Sequence, residues 1–363
     1  IYQYSTVTTT NTLDLSTGSA FQITPTSDIQ VGLSNPAASG TVSQATLLLD
    51  QAGYGGYAIE NASYDSKSFV FTSQDATPRS VDFKTDGTKM YMVGATGDNV
   101  YQYSLSTAWD VSTASYDSVS FSISSYSTNP YGITFKPDGT EMYVGDLGGD
   151  AVEQFTLSTA WDLSTASYTR TKSVSSADSV PVGITFNNDG TKMYHSGQGN
   201  SRLYEWNLST AWDISTATYS SVFISTSSNN SENNPFTLAF NGDGTKLFYW
   251  GSTTDLVYQY SLSSAFDLST ASYDSVTFSP GGQTATAYAI KFGDNGTKLY
   301  INGSSEDAVF QYSTSSPATI TYDSSIQFGG GTAPDSPAIG ETDVLAFTTR
   351  DGGTTYQAMQ AID

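Results

Sequence analysis

The motif "DGTKMYMV" at Asp86 recurs as "DGTEMYVG" at Asp138, "DGTKMYHS" at Asp189, "DGTKLFYW" at Asp243 and "NGTKLYIN" at Asn295. Five copies spaced by about 52 residues restrict the chain to a repeat architecture. Asp-Gly or Asn-Gly between alternating apolar runs marks a hairpin, because the turn needs positive φ. Four strand-like runs fill each period. The first is short and apolar: "YGITFK" at Tyr131, "VGITFN" at Val182, "FTLAFN" at Phe236. The second follows the turn, as in "KMYMVG" at Lys89. The third is "NVYQYSL" at Asn99, with equivalents at Ala151, Arg202, Leu256 and Ala308. The fourth is "SYDSVSFSI" at Ser115, with equivalents at Ser167, Thr218 and Ser272. Tyr, Phe, Val, Ile and Thr dominate these runs, as strands prefer, and no segment sustains a 3.6-residue apolar period. Four antiparallel strands per repeat describe a β-propeller blade, with the first strand lining a central channel and the fourth outermost.

A second phrase, "LSTAWDLSTA", links the third strand to the fourth in each blade. Its Trp109, Trp161 and Trp212, with Phe266 in the fourth copy, are expected to fill the gap beside the next blade. The alternative is a solvent-facing ring of carbohydrate-stacking aromatics. The repeat region starts with a lone fourth strand, "ASYDSKSFVF" from Ala62, and finishes with a third strand, "AVFQYSTSS" from Ala308. The strand near 62–71 therefore completes the last blade and closes a five-bladed ring.

Composition narrows the function classes. The chain has 363 residues, with 13 Lys+Arg against 35 Asp+Glu and a net charge of −22. That charge repels nucleic acid and anionic membrane surfaces. No apolar run reaches the length of a membrane helix, so no membrane insertion is expected. Without cysteine there is no disulfide, thiolate metal site or cysteine nucleophile. The chain opens at Ile1 without a recognisable signal peptide, so upstream residues are expected to be trimmed or missing.

Residues 1–52 and 317–363 do not follow the repeat. Both alternate apolar and polar residues between Gly/Pro/Asn turns such as "SNPAASG" at Ser34 and "RDGGTTY" at Arg350. Each is too small for a core of its own. Together they are expected to form a small antiparallel, jelly-roll-like β-sandwich, with the propeller (53–316) inserted in one of its loops. The segments "LDLSTGSAFQITPTSD", "GLSNPAASG" and "ITYDSSIQFGGGTAPDSPAIGETDVLAFTTRDGGTTYQAMQA" resemble a β-sandwich found near the C-termini of bacteriophage tail-fibre and other virion proteins. Thr321 and Tyr322 stand where that family has Thr-Trp, and the inserted propeller departs from it. The repeats themselves are similar to those of marine phage and bacterial surface proteins.

Chemistry is sparsely signalled. The Asp-Gly turns lack the alternating ligand run of a calcium loop, and hairpin geometry accounts for them. Asp98, Asp150, Asp255 and Asp307 precede the third strand in four blades, with Ser201 in the other, and are candidates for a Ca²⁺ or polar-ligand ring. A hydrogen-bonded turn residue is the plainer reading. His195, the sole histidine, falls at a second-strand position matched to Val93, which suits a strand residue better than a catalytic base. Glu60, Glu153, Glu205, Glu232, Glu306 and Glu341 share no motif that singles out an acid pair. The loops before each first strand vary most and offer Tyr126, Asn129, Asn230 and Asn233, with Arg202 beside Ser201, as ligand-binding candidates.

The resulting expectation is a non-enzymatic virion surface protein (tail fibre, head fibre or capsid decoration). It would contact other virion proteins and a host-surface glycan or protein. The resemblance to fibres implies a homo-oligomer, a trimer. A polysaccharide depolymerase and a bacterial surface adhesin are the alternatives.

Overall fold

The computed structural model describes residues 2–7, 10–25, 29–50, 56–314, 319–329, 331–336 and 342–362. The chain divides into two compact units, one of Ile59–Thr314 and one of Ile1–Ala58 with Ser315–Asp363. The boundaries expected at 52/53 and 316/317 lie outside the described residues, as do Ile1 and Glu341.

The continuous unit is a five-bladed β-propeller. Its first blade runs from the inner strand Pro78–Phe83 through Lys89–Gly94 and Asn99–Leu105 to the outer strand Ala114–Ser122. The next three blades have inner strands Pro130–Phe135, Pro181–Phe186 and Pro235–Phe240, each followed by three antiparallel strands. The fifth blade takes Ala287–Gly293, Lys298–Gly303 and Ala308–Ser313. It is completed by the early strand Ser63–Val70, which pairs antiparallel with Ala308–Ser313. The closure expected from the repeat's ends is therefore present.

The repeated phrases are the fastenings between blades. In the first blade the Gln102 amide Nε2 donates to Asp117 at 2.8 Å, and its Oε1 accepts the Leu163 backbone N–H of the second blade at 2.9 Å. Gln154 and Gln311 accept from Ile214 and Val111 in the same way. The third blade replaces Gln with Glu205, which accepts from Leu268 at 3.0 Å and pairs with Lys192 at 2.8 Å. There the outer-strand aspartate has become Ser220, so two carboxylates do not meet. Each "YDS" aspartate thus serves the "YQY" glutamine of its own blade, a pattern that local strand propensity alone would not require.

The "STAWD" connection is equally explicit. Asp110, Asp162, Asp213 and Asp267 cap short 3₁₀ turns by accepting the backbone N–H two residues on. The preceding Trp109, Trp161, Trp212 and Phe266 have φ of 65°, 64°, 65° and 58°, a left-handed backbone that bulky residues rarely adopt. Two contacts hold each one. Trp161 N–H donates to the Gly139 carbonyl at 3.0 Å, and Trp161 carbonyl accepts the Tyr91 hydroxyl of the preceding blade. The indole lies over the hairpin glycine, where a Cβ on Gly139 would come within 2.3 Å of the ring. Packing between blades, not display to solvent, is the role of these aromatics: Trp161 is 9 % exposed and belongs to a core cluster with Tyr91 and Phe135.

The second unit is all-β but not antiparallel throughout. Its six-stranded sheet orders Tyr2–Val7, Ala20–Pro25, Ser43–Asp50, Thr342–Thr349, Tyr356–Ile362 and Ile326–Phe328. A three-stranded sheet holds Thr10–Asp14, Ile29–Ser34 and Ile320–Tyr322. The first three strands of the larger sheet are mutually parallel, as are all three of the smaller. From Tyr2–Val7 to Ser43–Asp50 the chain alternates between the sheets, so each strand of one sheet is the crossover that makes neighbours in the other parallel. Only Thr342–Thr349 brings antiparallel pairing, to Ser43–Asp50 and to Tyr356–Ile362. The expectation of an antiparallel, jelly-roll-like arrangement is corrected here. Period-2 alternation is the same for either pairing direction.

Candidate functional site

The five inner strands begin Pro78-Arg79, Pro130-Tyr131, Pro181-Val182, Pro235-Phe236 and Ala287-Tyr288. Proline suits the first position of a strand, where no ladder donor is needed. In all five blades this first residue pairs with the last residue of the second strand, which puts the second residue of every inner strand at the same height around the axis. That height is the channel mouth on the face carrying the loops between blades.

Four of these side chains meet. Tyr131 lies 5.8 Å from Phe236 and 6.1 Å from Tyr288, between ring centroids, and Phe236 lies 5.9 Å from Tyr288. Tyr131 and Phe236 belong to non-adjacent blades, so the rings close over the axis. The Arg79 guanidinium carbon sits 4.2 Å from the Tyr131 centroid and 4.2 Å from the Tyr288 centroid. Arg79 Nε is buried and has no hydrogen-bond partner. Among the described residues eight basic side chains are paired with carboxylates; Arg79 is not one of them. Burial pushes the Tyr131 phenol up, and Arg79 opposes that shift.

Below the mouth, side chains satisfy the free edges of the inner strands. Asp82 accepts from the Phe83 and Phe135 N–H groups at 2.7 and 2.8 Å and pairs with Lys291 at 2.6 Å. Asn302 Nδ2 donates to the Pro78 carbonyl at 2.7 Å, and Thr237 Oγ1 accepts from Ile290 N–H at 2.7 Å. An inner strand has no fifth strand to pair with, so buried edge groups need such partners. Asp82 and Lys291 therefore serve the ring's closure.

The loops around the mouth are tied down by buried polar residues. Asp75 accepts from the N–H groups of Thr77, Thr96 and Gly97. Asp178 does the same for Val180, Gly199 and Asn200, and Glu232 for Asn234, Thr253 and Thr254. These acids are 4 %, 1 % and 0 % exposed, so they hold hairpins in place and offer nothing to solvent.

The candidates read from sequence fall in different places. Asp98, Asp150, Ser201, Asp255 and Asp307 all have φ between 47° and 56°. They occupy the left-handed position of the hairpin before the third strand, which favours Asp. Burial raises Asp98, Asp255 and Asp307 above the usual carboxylate range, helped by Asp75 and Asp146, by Glu232, and by Asp75 and Glu306 respectively. Among the described residues no three His, Cys, Asp or Glu side chains gather as a metal site requires. Asn230 turns inward and exchanges hydrogen bonds with the Tyr249 hydroxyl at 2.8 and 3.0 Å. The Asn233 carbonyl accepts from Ser201 Oγ at 2.8 Å, beside Arg202, whose guanidinium lies 3.8 Å over the Phe223 ring. The Asn129 carbonyl accepts from Leu147 N–H. Tyr126 stacks on Tyr168 at 4.0 Å with an 8° interplanar angle, and both rings are more than a third exposed. His195 matches Met92, not Val93, since the two pair with Ile184 and Val81. It is fully buried, accepts from Trp206 Nε1 at 3.0 Å and is held down to about 3 by burial.

Sequence reasoning passed over Arg79. Aligning "PRSVDF" with "PYGITF", "PVGITF", "PFTLAF" and "AYAIKF" would have shown one charge among four apolar or aromatic residues at the second position.

No family model matches the chain, and no curated protein does. Solved structures are similar to the chain at low identity. A provisionally named 6-phosphogluconolactonase of Bacteroides uniformis is 14% identical over 63% of this chain and 64% of its own, with a TM-score of 0.41. A second, of Bacteroides fragilis, is 15% identical over 60% and 61%, with a TM-score of 0.40. A protein of Lactobacillus plantarum is 13% identical over 65% and 67%, with a TM-score of 0.43. The chain spans just under two thirds of the length of the two Bacteroides proteins. The expectation of a non-enzymatic virion surface protein is corrected here: two of these three are named for an enzyme activity, and none is named as a phage, adhesin or depolymerase protein. At such identities and scores, however, their activities remain their own.

Proposed function

We propose that the propeller binds a small molecule over the mouth of its axial channel. The observation that carries this reading is the Arg79 guanidinium held between Tyr131 and Tyr288 with no carboxylate partner. A cation half-withdrawn from water and left unpaired is costly for a fold unless a ligand completes it. Three rings beside it supply apolar area with few rotamers to freeze on binding. The test is a thermal-shift screen of small metabolites on the whole protein, with each hit followed by NMR for binding and turnover. Hits should weaken at least tenfold in Tyr288→Ala and Phe236→Ala. Hits indifferent to both substitutions would place the site elsewhere.

For the discontinuous unit we infer a β-sandwich. One core cluster combines Leu13, Ile29, Val31 and Ile320 of the smaller sheet with Phe21, Ile23, Leu47, Leu49, Leu345 and Phe347 of the larger. Val31→Asp should then speed amide exchange in both sheets. Exchange confined to the three-stranded sheet would refute the shared core.

A further inference from the structure

Resting on the channel-mouth reading, we infer that the ligand carries a carboxylate or phosphate group, taken end-on by the Nη atoms of Arg79. The geometry leaves only that edge of the guanidinium. Tyr131 and Tyr288 lie against the group at 4.2 Å each, and Nε is out of reach of solvent. The Arg79 side chain makes no hydrogen bond or ion pair among the described residues, yet its Nη atoms are absent from the buried, unpartnered polar atoms, so they reach solvent. A guanidinium presents its two Nη donors as a planar fork, which matches two oxygens of a carboxylate or phosphate.

The surroundings favour an anion and disfavour a cation. The cation acting on the Tyr131 phenol is Arg79, which opposes the rise caused by burial, and no carboxylate acts beside it. The Tyr131 and Tyr288 hydroxyls have no hydrogen-bond partner among the described residues, and both can donate. The mouth is therefore a donor-rich spot on a chain with a net charge of −22. Anions are repelled from the rest of such a surface, which makes the mouth selective by contrast. Phe236 completes the collar on the far side and contacts whatever apolar body the anion carries.

The experiment is calorimetric titration of the full chain with benzoate, phenyl phosphate and the neutral benzamide at low salt. Benzoate or phenyl phosphate should bind at least tenfold tighter than benzamide, and which of them is tighter separates the two anion classes. Anion binding should weaken as salt rises. Arg79→Gln should bring the anions down to benzamide's level, and Arg79→Lys should keep part of the advantage. Benzamide binding as tightly as both anions, with loss in Tyr288→Ala, would overturn the anion class and leave the channel-mouth site intact. No binding of any of the three probes would overturn both.

Discussion

The Gln102 side chain accepts the backbone N–H of Leu163, 61 residues onward, while donating to Asp117 in its own blade. One amide thus joins two blades and an outer-strand bulge. Gln102→Ala leaves the buried Leu163 N–H without a partner and is expected to cost about 1–3 kcal/mol in urea unfolding. Gln102→Glu keeps the acceptor but sets it against Asp117. The third blade holds the compensated form, with Glu205 and Ser220 beside Lys192. The double variant Gln102→Glu with Asp117→Ser should therefore recover much of the loss, a coupling that a double-mutant cycle reads directly.

Trp161→Ala should destabilise the propeller by about 3–5 kcal/mol, because it empties a site walled by Phe135 and Tyr91. Trp161→Phe should cost less, since the fourth blade uses Phe266 at the same position. The Tyr91 hydroxyl bonds to the backbone carbonyl and survives either change. Equal losses in the two variants, measured by chemical denaturation, would contradict the packing role.

Glu153 stands where other blades have Tyr101, Tyr204 or Tyr258. Burial pushes its carboxyl from 4.5 up to about 7, and Asp146 adds to the shift while the Thr171 hydroxyl opposes it. The folded state therefore holds a proton that the unfolded state releases first. Stability should fall as pH rises from about 4.5 through 7, by roughly 3 kcal/mol at most. Glu153→Gln should flatten this part of the stability curve and stabilise the protein at pH 8. An unchanged slope in that variant would locate the titration elsewhere.

His195 predicts the opposite slope. Burial lowers it from 6.5 to about 3, so the folded state excludes a proton that the unfolded state accepts. Its contribution should be fully present above pH 6.5 and lost progressively as pH falls towards 3. His195→Met, which copies the first blade, should remove this acid-side loss. Urea midpoints of wild type and variant between pH 4 and 7 make the comparison.

Much of the propeller is legible in residues close together along the chain. An Asp-Gly turn flanked by alternating apolar runs specifies a hairpin locally, and counting the turns specifies the blades. The orphan outer strand at Ser63 and the unfinished blade at Ala308 imply each other without any structure. Direction of pairing is different. The alternation in Ala20–Pro25 or Ile29–Ser34 states which face is buried, not whether a neighbour runs parallel. Similarly, Asn230 reads as a free loop amide until the fold sets Tyr249 beside it.

The sequence by itself determined the period, the strand pattern, the turns and the closure of the ring, since each depends on backbone preference over a few residues. Tertiary structure alone decided the candidate site. Arg79, Tyr131, Phe236 and Tyr288 come from four inner strands and share no local motif. They meet because closing five blades brings the second residue of each inner strand to one point on the axis. Only there does an ordinary arginine become a cation with two aromatic walls and one open edge.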